Sequence, residues 1–234
     1  MTGKISLFIL FLFALPLFSG CQKEDRHETA APASTVSGKN QEPPAPSPPA
    51  PPVHETFDGA PQLSLFARLG DYRPEEQDEL TLPYWRTYQE HLIKTAGVVV
   101  TDGSGNRAYS FRSIKGIDSV GFFSPLAVKP DTRYQVSFRA KGNLPEGASA
   151  GIGILEFDRF LWVGEQFPRS LDEEHRTGQI DGVIFGGTQN WREHSFTFTT
   201  SPETNMIHLV LHREGTPSRE PVLFDDIRIE PTDP

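Results

Sequence analysis

The chain has 234 residues and a single cysteine, Cys21. A fold built from it has no disulfide, no cysteine zinc site and no pair of thiols. Its globular part must be held by a hydrophobic core, aided at most by a cation on oxygen ligands. That cysteine also closes an apolar leader. Lys4 supplies a positive start, Ile5 to Phe18 is almost unbroken Ile, Leu and Phe, and Ser19-Gly20-Cys21 follows. A basic start, a short apolar run and small residues before a cut make a secretory signal, too short for a good membrane span.

The ending Phe18-Ser19-Gly20-Cys21 resembles the lipobox of bacterial lipoproteins. The resemblance implies that the Cys21 thiol takes a diacylglyceryl group, that the leader is cut before it, and that the new amine is acylated, palmitate being one such chain. Two or more acyl chains anchor stably where one binds only marginally. The expected location is the bacterial cell envelope. Gln22 stands where the enteric sorting rule reads Asp as inner-membrane retention, so it implies the outer membrane in a Gram-negative cell.

Residues 22–54 carry Pro32, Pro43, Pro44, Pro46, Pro48, Pro49, Pro51 and Pro52 among Ala, Ser, Glu, Gln and Lys, with hardly a large apolar side chain. Such a segment buries too little to fold, and its proline run favours polyproline II. Some thirty residues at ~3.1 Å each reach about 100 Å when fully extended. The sequence thus divides into a signal peptide over 1–20, a lipidated cysteine and disordered tether over 21–54, and one globular domain over 55–234.

Net charge is −9, a poor match for nucleic acid or anionic headgroups. With 17 Phe, 20 Gly and only 2 Met, the composition suits an all-β domain. The patterning agrees. Tyr134, Val136, Phe138 and Ala140 alternate with Gln135, Ser137, Arg139 and Lys141, and Ile207, Leu209 and Leu211 alternate with His208, Val210 and His212. Val98–Thr101, Ala108–Arg112, Ala150–Phe157, Ser195–Thr199 and Leu223–Ile229 complete a set of short strands between turns, the pattern of a β-sandwich. Two stretches fit less well: a short helix is expected within Arg73 to Thr95, and Asp158 to Asn190 reads as a long functional loop.

Three stretches resemble the galactose-binding-like jelly roll of the carbohydrate-binding modules attached to xylanases and cellulases. Leu126 to Gly142 is similar to that family's "v-x-P-G-x-x-Y-x-x-S-F-x-A-K-G" strand, with Asp131 for the usual Gly. Trp191 to Thr199 is similar to "W-x-x-x-x-x-x-F-T". Val222 to Ile229 is similar to the closing "hydrophobic-Asp-Asp-Val" strand. The resemblance implies a jelly-roll β-sandwich and a sugar ligand, and covers about residues 55 to 232. It also implies a structural calcium bound by Asp225 and Asp58, the latter lying in Thr56-Phe57-Asp58-Gly59. Independently, a period of two places Asp225 on one strand face with Leu223, Ile227 and Ile229, a costly position for a carboxylate without a partner or cation. Both acids are hard oxygen donors of the kind calcium selects.

Sugar recognition needs flat aromatic faces with polar neighbours. The candidates are Tyr84, Trp85, Tyr109, Phe160 and Trp162, with Arg139 available to an acidic sugar; Trp191 reads as structural. His208 and His212 share a strand face but stand roughly 13 Å apart, too far for one metal. The expected function is a lipid-anchored, non-catalytic module that binds polysaccharide or glycan. A second reading is an envelope assembly module that contacts a protein partner. A third is a glycoside hydrolase using acids among Glu156, Asp158 and Glu165. No nucleophile elbow, His-Glu-x-x-His or phosphate loop is present.

Overall fold

The structure, a computed structural model, describes residues 52–70, 84–86, 97–114, 117–161 and 169–232. Cys21, the leader, the tether up to residue 51 and Trp162 lie outside these residues, as does most of the helix expected within Arg73 to Thr95. Among the described residues the strands are β1 (Val53–Glu55), β2 (Phe66–Gly70), β3 (Gly97–Thr101), β4 (Arg107–Phe111), β5 (Ser119–Ala127), β6 (Arg133–Asn143), β7 (Ala148–Phe157), β8 (Arg176–Phe185), β9 (Thr188–Thr199), β10 (Met206–Gly215) and β11 (Val222–Pro231). One short helix, α1 (Arg169–His175), precedes β8, and Tyr84–Arg86 forms a 3-10 turn. Val53 and His54 are already in the sheet, so the sandwich starts two residues inside the stretch assigned to the tether.

The strands form two antiparallel sheets packed as a jelly-roll sandwich. Sheet A runs β3-β4-β11-β6-β9 and sheet B runs β2-β5-β10-β7-β8. β1 also pairs with β11, through residues 227–229, while β4 pairs with residues 222–224. The two short strands therefore share one edge of β11. The chain leaves that edge after Glu55, whose buried carboxylate accepts the backbone N–H groups of Phe57, Gln62 and Leu63 at 2.8, 2.6 and 3.0 Å. That one side chain satisfies a loop that has no ladder of its own.

β6 follows its sequence pattern: Tyr134, Val136, Phe138 and Ala140 are buried and their neighbours face outward. Between the sheets Phe111 stacks on Phe224 at 5.4 Å, and Phe122 meets Tyr109 and Phe111 at 5.1 Å each. Asp131, at the usual glycine position before β6, has φ +48°. Glycine adopts this left-handed turn freely and aspartate tolerates it.

Three expectations are corrected. β11 carries a bulge between Asp225 and Arg228, with Asp226 at φ +49°. The extra residue shifts the period, so Val222, Phe224, Ile227 and Ile229 are the buried apolar residues. Asp225 lies opposite Arg139, on the outer side, not in the row with Ile227 and Ile229. The stretch 158–190 is not one long loop: it holds α1, the whole of β8 and the start of β9. β8 is an edge strand of mostly half-buried residues, which masks its alternation. Finally, β10 is buried on both faces over Met206–Arg213, because the outer face of sheet B is covered rather than wet.

Candidate ligand groove

The cover on sheet B decides where a ligand can go. Trp85 is 0% exposed and lies over that sheet in a second apolar cluster with Phe123, Leu155, Phe157, Leu161, Met206 and Val210. Its indole stacks on the His212 ring at 5.0 Å and 10°. A Cβ on Gly153 would fall on the indole, so only glycine lets the ring settle against β7. The turn is held from both sides. The Trp85 backbone N–H donates to Glu214 at 2.7 Å, Arg176 donates to the Arg86 carbonyl at 2.6 Å, and Arg86 pairs with Asp181. Burial drives both His212 and His208 down to a pKa of about 3, so both rings are neutral.

Two of the five aromatics expected to meet sugar, Trp85 and Tyr109, are thus spent on packing. Trp85 is core. Tyr109 is on the inward face of β4, stacked on Phe57 at 5.6 Å, and burial raises its phenol well above the ordinary value. Both are corrections: neither presents a face to solvent, because each fills a layer that a sandwich of this width needs filled. Tyr84 opens the 3-10 turn, and its side chain lies outside the described residues, as does Trp162. Phe160 is exposed at 55%.

Arg139 stands on the outer face of β6 in an ordered polar cluster. Its guanidinium lies over the Trp191 ring at 5.3 Å and 3.5 Å from the Asp226 carboxylate, which His54 approaches at 3.3 Å. The Trp191 indole N–H donates to Asp102 at 3.3 Å, and hydrogen bonds led by Ser104 hold the Asp102 carboxyl down to about 2. Trp191 is half-buried and locks the 102–106 turn onto the sheet.

The two acids expected to hold calcium differ in burial. Asp225 accepts from the Asn106 side chain at 2.9 Å and from the Asp226 N–H at 2.7 Å, and burial raises its pKa. Asp58 is exposed. Among the described residues no group of three or more His, Cys, Asp or Glu is gathered to hold a metal ion. His194 stacks between Phe138 and Phe185 at 5.2 and 5.3 Å, in the sheet opposite β10.

Among the described residues an open concave feature lies at one end of the sandwich. The β5–β10 register sets Val120 against Arg213, so the loop before β5 and the loop after β10 meet there. Between them is a cavity of about 570 Å³ lined by Arg112, Ser113, Ile114, Pro217, Ser218 and Arg219. A second, of about 420 Å³, shares Arg112 and Ile114 and runs along Gly97, Val98, Val100, Ser110, Phe111 and Pro221. Each volume is within the ~300–1,000 Å³ of small-ligand clefts. Together they make an elongated groove with one apolar side, where Val98 is 60% exposed.

The groove is prebuilt. Ser113 donates its hydroxyl to the Ser218 carbonyl and accepts the Ser218 N–H, both at 2.7 Å. Beneath, the buried Arg213 guanidinium donates to the carbonyls of Asp118 and Gly215 at 3.1 Å and to that of Thr216. Three carbonyls from two loops converge on one rigid donor fork, which fixes the walls before any ligand arrives. Among the described residues no carboxylate lines either cavity. Sequence reasoning missed Arg112, which it read only as the end of a strand, and Ile114, Pro217 and Arg219, which it did not single out; the strand register alone makes them neighbours.

No family model and no curated protein matches the sequence. Solved structures similar to the chain include the enzymatically active domain of tailspike protein 4 of bacteriophage CBA120, at 9% identity and TM-score 0.45, covering 76% of this chain. The chain spans only 20% of that protein. A family 16 carbohydrate-binding module is similar at 16% identity and TM-score 0.41, over 58% of this chain and 85% of that one. The CBM22-1 xylan-binding domain of Paenibacillus barcinonensis Xyn10C is similar at 12% identity and TM-score 0.40, over 80% of this chain and 97% of that one.

Proposed function

We propose that the protein is a lipid-anchored envelope module that binds glycan without acting on it, anchored through Cys21, in the outer membrane if the cell is Gram-negative. The observation that carries the reading is the prebuilt groove between residues 112–114 and 217–221, which joins an apolar wall to hydrogen-bonding and cationic groups. A sugar ring has the same duality, with an apolar face of C–H groups and a rim of hydroxyls. Hydrolysis of a glycoside needs two opposed carboxylates, and among the described residues none lines this groove. Glu156 is instead buried beside the Thr204 hydroxyl.

The test is a glycan-array screen of the full chain, repeated on Ile114→Asp. Binding that is lost in the variant while its thermal melt is unchanged supports the reading. A folded chain that binds no glycan refutes it. The burial of Trp85 and Tyr109 favours a second reading, an envelope protein partner on the open polar face of sheet A, and a pull-down with Arg139→Ala as control addresses it.

A further inference from the structure

We infer that the groove selects an acidic glycan, with Arg112 and Arg219 clamping a sugar carboxylate; this rests on the glycan reading above. The chain carries 31 acidic residues against 22 Lys and Arg, so an exposed arginine has many acids to pair with. Arg159 does so, with Asp158, as do the less exposed Arg86, Arg139 and Arg176, with Asp181, Asp226 and Asp172, while the exposed Arg107, Arg192 and Arg228 have no ion pair among the described residues, so it is their shared cavity that sets the next pair apart. Arg112 and Arg219, both exposed and one on each wall of the same cavity, have no ion pair or hydrogen bond among the described residues. Asp118 and Glu220 are close in the chain, yet neither lines the cavity. Two guanidinium forks over a groove with no acid in its described lining make a local reversal of the molecule's overall charge.

Planar guanidinium matches a carboxylate in a two-bond geometry that an ammonium does not offer. Ile114 and Pro217 lie in the same cavity, placed to take the apolar face of the ring that carries the carboxylate. The Arg213 fork and the Ser113–Ser218 pair hold the two loops, so both arginine-bearing walls keep a fixed separation. The second cavity then accepts the next residues of a chain along Val98 and Pro221.

The test titrates the full chain calorimetrically with tetragalacturonate and with its methyl ester, which keeps the sugar skeleton and removes the charge. A sulfated glycan (chondroitin sulfate) and vesicles of anionic phospholipid are run in parallel, all on wild type, Arg112→Gln and Arg219→Gln. The expected result is preference for the free acid, weakened by salt, with each substitution costing about tenfold, the worth of one exposed charge-assisted hydrogen bond. Thermal melts should not move, since both side chains are exposed. Equal binding of acid and ester, indifferent to both substitutions, overturns the acidic preference and leaves the glycan reading standing. Preference for the sulfated glycan that both substitutions abolish supports the clamp with sulfate as its anion. Binding to vesicles alone overturns the inference, and silence toward every saccharide refutes the glycan reading itself.

Discussion

Acidification should unfold this protein through two histidines before its carboxylates matter. His208 and His212 are both 0% exposed, and burial drives each from an ordinary pKa of 6.5 to about 3. The folded chain keeps both rings neutral at pH 5, whereas the unfolded chain protonates both. A native pKa depressed in this way gives stability that is full above the unfolded value and is lost as pH falls toward the folded value. Between pH 7 and pH 5 linkage costs about 2 kcal/mol per ring, about 4 kcal/mol for the pair. That is a large part of a typical domain's stability of roughly 5–15 kcal/mol.

Glu156 and Asp225 work in the other direction. Burial raises their pKa, so they gain stability as they protonate, an offset that grows toward pH 4. The assay is urea unfolding at pH 7, 6 and 5 on wild type and His212→Leu. His212 is the informative site because neither ring nitrogen has a hydrogen-bond partner, so replacing it orphans no other group. The variant should lose about 2 kcal/mol less than wild type between pH 7 and pH 5. Identical losses would refute the argument that the covered face of sheet B holds this histidine neutral.

Trp85→Ala should cost ~3–5 kcal/mol in the same assay at pH 7, the usual penalty for emptying a large buried site, and should expose the face of β7 at Gly153 to quenching and dye-binding probes. A cost below about 1 kcal/mol would mean that Trp85 is a removable cover and not core. Cys21→Ser should move the protein from the membrane pellet to the soluble fraction in cell fractionation, and the loss of a labelled fatty acid should accompany the shift; retention in the pellet would remove the lipid anchor from the reading.

The sandwich was legible where one face is wet. β6 alternates cleanly because its outer side meets solvent, so a period of two appears in the residues themselves. β10 alternates Ile207, Leu209 and Leu211 with two histidines and Val210, and the pattern does not tell whether the histidines are solvated or packed. They are buried because a turn over a hundred residues away lies on top of them, and no local pattern reports a cover. β11 was misread for a different reason. A bulge at Asp225–Arg228 adds one residue to the count, and a one-residue slip moves every later side chain to the opposite face. The groove was illegible altogether, since Arg112 and Arg219 are 107 positions apart and meet only through the β5–β10 register.

The pairing of β1 with the far half of β11 has a mechanical consequence. Val53, where the preceding chain joins the sandwich, lies against Ile229, while Pro221 at the groove adjoins Val222. Roughly 23 Å of strand separates these two points. The point where the preceding chain enters the sandwich and the groove therefore lie at opposite ends of β11. When Val53 and Pro221 are drawn apart, the load runs lengthwise down β11. The rungs between Val53–Glu55 and Ile227–Ile229 bear it side by side, in shear, instead of opening one at a time.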